Sequence, residues 1–194
     1  MKKILSAFLI TLILLIGVTG CSTKNKDLTD AEKFKQEYES LNNKNNGEVN
    51  YNKVSISEDN PIVYATPKKI IEKINNGDLF AVYIGTSTNI ECRQIVESLL
   101  ESAKEKNVST IYYIDTNKYD VTDLEQLLQS INDNDKQETL TSSPSVIAIS
   151  KKKIVERETG LTTEHNQKKY AKNEFNCLFK CLSEESTTCQ KNSC

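Results

Sequence analysis

Residues 79–94 read LFAVYIGTSTNIECRQ, and this stretch decides the fold. Its first six residues, 79–84, form an apolar run with no polar alternation, which indicates a strand buried on both faces. After a short polar loop, Cys92 begins a series of apolar residues at helical spacing that continues through Leu99 to Ala103. A strand of this kind indicates a parallel sheet that helices cover on both faces.

Strands and helices alternate on both sides of this stretch. Before it, TDAE (29–32) is a capping box for a helix over 30–42, PIVYA (61–65) is extended, and a helix runs from Thr66 to Gly77. After it come a buried strand, IYYI (111–114), and a second capping box, TDLE (122–125). The chain then continues with SVIAIS (145–150), which pairs with IVERE (154–158), and with a last helix over 163–182. This order predicts an α/β domain with a mixed sheet, which we expect to have four strands.

A cysteine in the first turn after a strand and a loop is the usual place of a thiol redox site, which needs two sulfurs. The residue three positions before Cys92 is Asn89, whose amide is no nucleophile but can cap the helix. Cys92 itself has two interpretations. The helix terminus would favour a reactive thiolate, whereas its apolar face favours a small buried core residue, and we favour the second.

This order of elements resembles the thioredoxin fold. The closer resemblance is to extracytoplasmic thioredoxin-like lipoproteins, some labelled bacteriocin transport accessory proteins, whose G-x-P-x-C-P-x-C-R motif aligns with GTSTNIECR at 85–93. The resemblance implies that Asn89 replaces the attacking cysteine and that Cys92 is the resolving one. It also places Tyr83 where classical thioredoxins have a buried carboxylate.

Pro144, preceded by Ser143, matches the cis-proline of that family opposite the active loop. The resemblance therefore implies a cis Pro144 close to the turn from Asn89 to Cys92. It also implies a groove there for an extended peptide, which would pair with the strand that Pro144 opens.

The N-terminus has the pattern of a targeting segment. Lys2 and Lys3 precede an apolar core over 4–18, and VTGC at 18–21 resembles the bacterial lipobox. An ordinary signal peptide that ends near a cysteine is the alternative. The lipobox implies that residues 1–20 are removed and that Cys21 is lipidated (palmitate-bearing). The chain would then be anchored at the extracytoplasmic face of the cell membrane, where disulfides persist.

Five cysteines remain if Cys21 carries lipid, so at least one thiol is unpaired or bonds another molecule. A local disulfide between Cys189 and Cys194 is easy to form, and a tail cysteine that reaches Cys92 is the alternative. Cys177 and Cys181 lie beside the apolar stripe of the last helix. The chain has one histidine and no second C-x-x-C pair, so we expect no metal and no cofactor.

Charge excludes nucleic acid as a partner. The chain has 25 basic and 27 acidic residues, and removal of Lys2 and Lys3 with the signal peptide leaves a net charge of −4.

The sequence therefore predicts a signal peptide (1–20), a lipidated tether (21–28), an N-terminal helix and loop extension (29–60), a thioredoxin-like domain (61–182) and a cysteine-containing tail (183–194). Three functions fit. The chain could bind an extended peptide without catalysis, serve as an accessory subunit of an export or envelope complex, or act as a thiol–disulfide oxidoreductase through Cys92 and a C-terminal cysteine. The lost attacking cysteine favours the first two and a protein that is not an enzyme.

Overall fold

The computed structural model describes residues 27–45, 47, 49–132, 139–159 and 167–183. The predicted signal peptide, Cys21, Cys189 and Cys194 lie outside these residues. The elements are α1 (Asp30–Glu39), β1 (Ile62–Tyr64), α2 (Pro67–Asn76), β2 (Phe80–Gly85), α3 (Ile90–Glu105), β3 (Ile111–Asp115), α4 (Thr122–Ser130), β4 (Ser145–Ser150), β5 (Lys153–Thr159) and α5 (Gln167–Ser183).

Local sequence signals set the ends of the first two helices. At α1 both bonds of the capping box are present, because Glu32 N donates to Thr29 Oγ1 at 3.2 Å and Thr29 N donates to Glu32 Oε2 at 2.7 Å. Helix α2 begins at the Thr66 cap and ends at Gly77, whose φ of 78° is left-handed. Helix α1 ends at Glu39, three residues before the predicted end.

The sheet has five strands in the order β1-β3-β2-β4-β5. Strands β1, β2 and β3 are parallel, and β4 and β5 follow in antiparallel order. The expected number of four strands was wrong, because the short β1 pairs with the outer edge of β3, with Ile62 opposite Ile111 and Tyr64 opposite Tyr113.

The sheet lies between two layers of helices, and β2 is buried along its whole length. Ala81 and Tyr83 point into the core that α1, α3 and α5 cover, whereas Val82 and Ile84 point into the core under α2 and α4. The predicted α/β class and thioredoxin-like fold, with an N-terminal helix added, are therefore confirmed. Within the described part of the chain, no helix is both long and apolar enough to cross a bilayer.

The second predicted capping box is wrong. Helix α4 has Val121 at its N-cap and no side-chain cap bond. Thr122 Oγ1 donates to Asp120 Oδ1 at 2.6 Å, and the Glu125 carboxylate accepts bonds from a distant segment instead of from its own helix end. At this position, hydrogen bonds to residues outside the helix thus replace the local capping bonds that the sequence pattern predicts.

Candidate functional site

The loop between β2 and α3 ends at Asn89, which is the N-cap of α3. Its φ of −85° and ψ of 127° are extended, and its Oδ1 accepts a hydrogen bond from Cys92 N at 3.0 Å. This bond pairs one of the backbone N–H groups that the first helical turn leaves open. Asn89 therefore has a structural role at the position where the resemblance places an attacking cysteine.

Asn89 also connects this loop to the segment that precedes β4. Its Nδ2 donates to the Ser143 carbonyl at 3.3 Å, across 54 residues of sequence. The Ser143–Pro144 peptide bond is cis, as the sequence analysis expects. The two segments that the sequence singled out are thus in direct contact, and the side chain that joins them is an amide.

Cys92 lies beneath this contact and is 0% exposed. Its Sγ accepts a hydrogen bond from Thr86 N at 3.4 Å and lies 3.1 Å from Ser143 Oγ. Among the cysteines that the structure describes, Cys92 has a free thiol, whereas Cys177 and Cys181 are disulfide-bonded. A free thiol is therefore present at the site, but solvent does not reach it.

Burial raises the pKa of the Cys92 thiol above its ordinary value, although hydrogen bonds from Ser143, Thr86 and Tyr83 oppose this shift. The thiol is consequently protonated at neutral pH, and a protonated thiol is a poor nucleophile. The raised pKa means that the protonated thiol stabilises the folded protein. This stabilisation is fully present below the pKa of the thiol in the unfolded chain, about 8.5, and is lost as the pH rises through the higher pKa in the folded protein.

Tyr83 is the residue at which the resemblance places the buried carboxylate of classical thioredoxins. It is 0% exposed, and its hydroxyl lies 2.8 Å from the Tyr38 hydroxyl of α1. Burial raises the pKa of both phenols well above their usual value. Neither group can accept or release a proton near neutral pH, so Cys92 has no general base at this position.

Gly85 allows this packing at the end of β2. A Cβ atom at this position would lie 2.9 Å from Cys92 Sγ and 2.9 Å from the Tyr83 hydroxyl. Real Cβ atoms do not approach other atoms so closely, so any larger residue would displace the thiol or the phenol.

Arg93 has a buried, structural role beside the site that no sequence pattern indicated. It is 1% exposed, and its guanidinium donates to Tyr38 O at 2.7 Å, to Asn42 Oδ1 at 2.8 Å and to Asn52 O at 2.7 Å. Its Cζ also lies 5.6 Å from the centre of the Tyr51 ring. Arg93 thus ties the N-terminal extension to the helix that carries Asn89 and Cys92.

Glu125, on α4, binds the main chain of the segment that precedes Pro144. Its carboxylate accepts hydrogen bonds from Leu140 N at 3.0 Å and from Thr141 N at 2.6 Å. Burial alone would raise the pKa of Glu125, but these bonds outweigh burial and lower it. This role has no local sequence signal, because its partners are fifteen and sixteen residues away.

Comparisons with known proteins leave the family open. No family model matches the chain, and no curated protein matches it. Among solved structures, the chain is similar to thioredoxin O2 from Arabidopsis thaliana in its oxidized state. The identity is 12% and the TM-score 0.40, over 53% of this chain and 85% of that one. The fold assignment above depends on element order and sheet register.

The structure brings together Asn89, Cys92, Ser143 and Pro144, which the sequence analysis named as one site. Within the described residues, no group of three or more His, Cys, Asp or Glu side chains is arranged to hold a metal ion. Cys21, Cys189 and Cys194 lie outside the described residues, so lipidation and the Cys189–Cys194 disulfide stay predictions.

Proposed function

We propose that this chain is a membrane-anchored, extracytoplasmic thioredoxin-fold lipoprotein that binds a partner and does not catalyse dithiol exchange. The observation that carries the proposal is the contact of Asn89 with Cys92 N and the Ser143 carbonyl. An amide occupies the attacking position, and the remaining sulfur is buried beneath it. Exchange needs an accessible thiolate that attacks and a second thiol that resolves the mixed disulfide.

The proposed partner is an extended peptide or an envelope or export protein that docks beside Pro144. Strand β4 pairs with β2 on one edge and with β5 on the other, so the expected pairing along β4 is excluded. Beside Pro144, the main chain that precedes this proline remains for a partner. There the Asn89 amide already donates to the Ser143 carbonyl, and an incoming N–H group would replace this donor.

The free thiol of Cys92 favours a second candidate, a thiol–disulfide oxidoreductase that pairs Cys92 with a C-terminal cysteine. That activity requires the buried sulfur to become accessible during each cycle. Labelling of the thiol in the folded protein therefore distinguishes the two candidates.

We expect Cys92 to react with iodoacetamide roughly a thousandfold more slowly in the folded protein than in guanidinium chloride. The reaction requires local opening, for which we take a free energy of about 4 kcal/mol. Mass spectrometry of the Cys92 peptide after timed labelling at pH 7 and pH 9 measures the rate. Rapid labelling at pH 7 without denaturant would support the oxidoreductase, because it would require an exposed thiolate.

Cys21→Ala tests the proposed anchor. We expect the wild-type protein to begin at a lipidated Cys21 and to sediment with membranes. The variant should remain an unprocessed precursor or be cut at another site, because the lipid acceptor is missing. Fractionation with mass spectrometry of the N-terminal peptide provides the measurement. A variant that matures and stays with the membrane like the wild type would contradict lipidation.

A further inference from the structure

A group of lysines lies at the end of β2 that is remote from Cys92. We call Lys73, Lys106, Lys151 and Lys152, together with Leu79, the basic pole. Lys73, Leu79 and Lys106 line one open cavity together with three aromatic residues. Lys151 N donates to Gly77 O at 3.3 Å, which places the β4–β5 turn against the α2–β2 loop that contains Leu79.

The basic pole and the candidate site are at opposite ends of the molecule. Leu79 directly precedes β2, whereas Asn89 and Cys92 follow its carboxyl end. Lys106 is the C-cap of α3, and Cys92 lies in the first turn of that 16-residue helix. At 1.5 Å per residue the helix separates its two ends by roughly 24 Å.

Among the described residues, the lysines of the basic pole outnumber the acids that pair with them. Lys73 Nζ forms a salt bridge with Asp78 Oδ2 at 2.8 Å, and Glu105, at the end of α3, forms one with Lys172 at 2.7 Å. In the part of the chain that the structure describes, Lys106, Lys151 and Lys152 form no salt bridge, although the charge of Lys106 helps to lower the pKa of Glu105. Lys151 and Lys152 are exposed and form the β4–β5 turn.

An exposed apolar residue lies among these charges. The Leu79 side chain is 47% exposed, the largest exposure among the large hydrophobic residues that the structure describes. Lysines around an exposed leucine are complementary to an anionic bilayer, because phosphates attract the lysines and the interface accepts the leucine. Nucleic acid would offer the lysines phosphates but would leave Leu79 in water.

We propose that the basic pole binds the anionic phospholipid head groups of the membrane. The proposal deepens the proposed function, because a lipid anchor would keep the domain near this surface at high effective concentration. Contact through the basic pole would turn Asn89, Ser143 and Pro144 away from the bilayer and toward a partner.

The chain contains no tryptophan, so Leu79→Trp introduces a single fluorescent probe into the basic pole. The full chain, purified as the cell makes it, is mixed or reconstituted with vesicles of phosphatidylcholine alone or with phosphatidylglycerol added. We expect a blue-shifted emission and quenching by brominated lipid only in the anionic vesicles, and high salt should reverse both effects.

Lys151→Gln with Lys152→Gln, added to the Leu79→Trp chain, removes the attraction and leaves the probe in place. The ratio of lipid-bound to water-exposed probe should fall roughly thirtyfold, about fivefold for each lysine. Tyr119→Trp is the matched control, because Tyr119 is 39% exposed and follows the carboxyl end of β3. Its emission should be the same in both kinds of vesicle.

Equal emission of the Leu79→Trp probe in neutral and anionic vesicles would overturn the proposal, as would an unchanged signal in the lysine variant. These outcomes do not depend on lipidation, because vesicles that are added to an unlipidated protein report the same contact. Failure of the basic pole is thus distinguishable from failure of the proposed anchor, which Cys21→Ala tests.

Discussion

Asn89→Cys is expected to be a dithiol reductase, whereas we expect the wild type to be nearly inactive. The substitution places a sulfur at the N-cap of α3, where the helix terminus lowers the pKa of a thiol. Cys92 lies three residues further on and would resolve the mixed disulfide. We expect insulin reduction at least about a hundredfold faster than by the wild type, since the wild type has an amide at this position and its Cys92 thiol is buried.

The gain should come with a small loss of stability. The cap bond to Cys92 N and the bond to the Ser143 carbonyl are both made by the Asn89 amide. Loss of a helix cap costs roughly 0.5–2 kcal/mol, which a domain of ordinary stability tolerates. Urea unfolding of Asn89→Cys beside the wild type measures this cost.

Two control variants separate chemistry from structure. Asn89→Ser keeps a capping side chain without a sulfur and should remain inactive. Asn89→Cys combined with Cys92→Ser should lose turnover because nothing resolves the mixed disulfide. Strong activity of the wild type that Cys92→Ser abolishes would refute the binding function and indicate a redox pair between Cys92 and a C-terminal cysteine.

Arg93→Met should lower the free energy of unfolding by about 3–5 kcal/mol. Methionine replaces the aliphatic part of the side chain but removes the donors to Tyr38 O, Asn42 Oδ1 and Asn52 O. Leu41 N still donates to Tyr38 O and Val54 N still donates to Asn42 Oδ1, so the cost is that of the lost bonds from a charged donor, about 1.5–3 kcal/mol each. Urea unfolding should show a lower midpoint, and amide exchange should accelerate first in residues 49–54, which Arg93 holds.

Lys104→Met is the matched control, because Lys104 is exposed on the same helix and should change stability by no more than about 0.5 kcal/mol. Arg93→Lys should fall between the wild type and Arg93→Met, since an ammonium cannot reproduce the planar fork of donors. If Arg93→Met unfolds at the wild-type midpoint, the guanidinium does not stabilise the extension.

The sequence alone determined the elements whose signals lie within a few residues of one another. Thr29, Thr66 and Asn89 cap helices as their local patterns predict, because a cap bond spans only three residues. The apolar run of β2 predicted burial on both faces, since no alternation marks a solvent side. The α/β class followed from these local signals.

Tertiary structure decided the residues whose partners are distant. A charged residue is expected at the surface, yet Arg93 is buried because carbonyls 41 and 55 residues away accept its hydrogen bonds. Glu125 matches a capping box, yet it binds Leu140 N and Thr141 N, because those buried donors need an acceptor. The partners of a buried polar group are set by the packing of the whole chain, which no short sequence pattern contains.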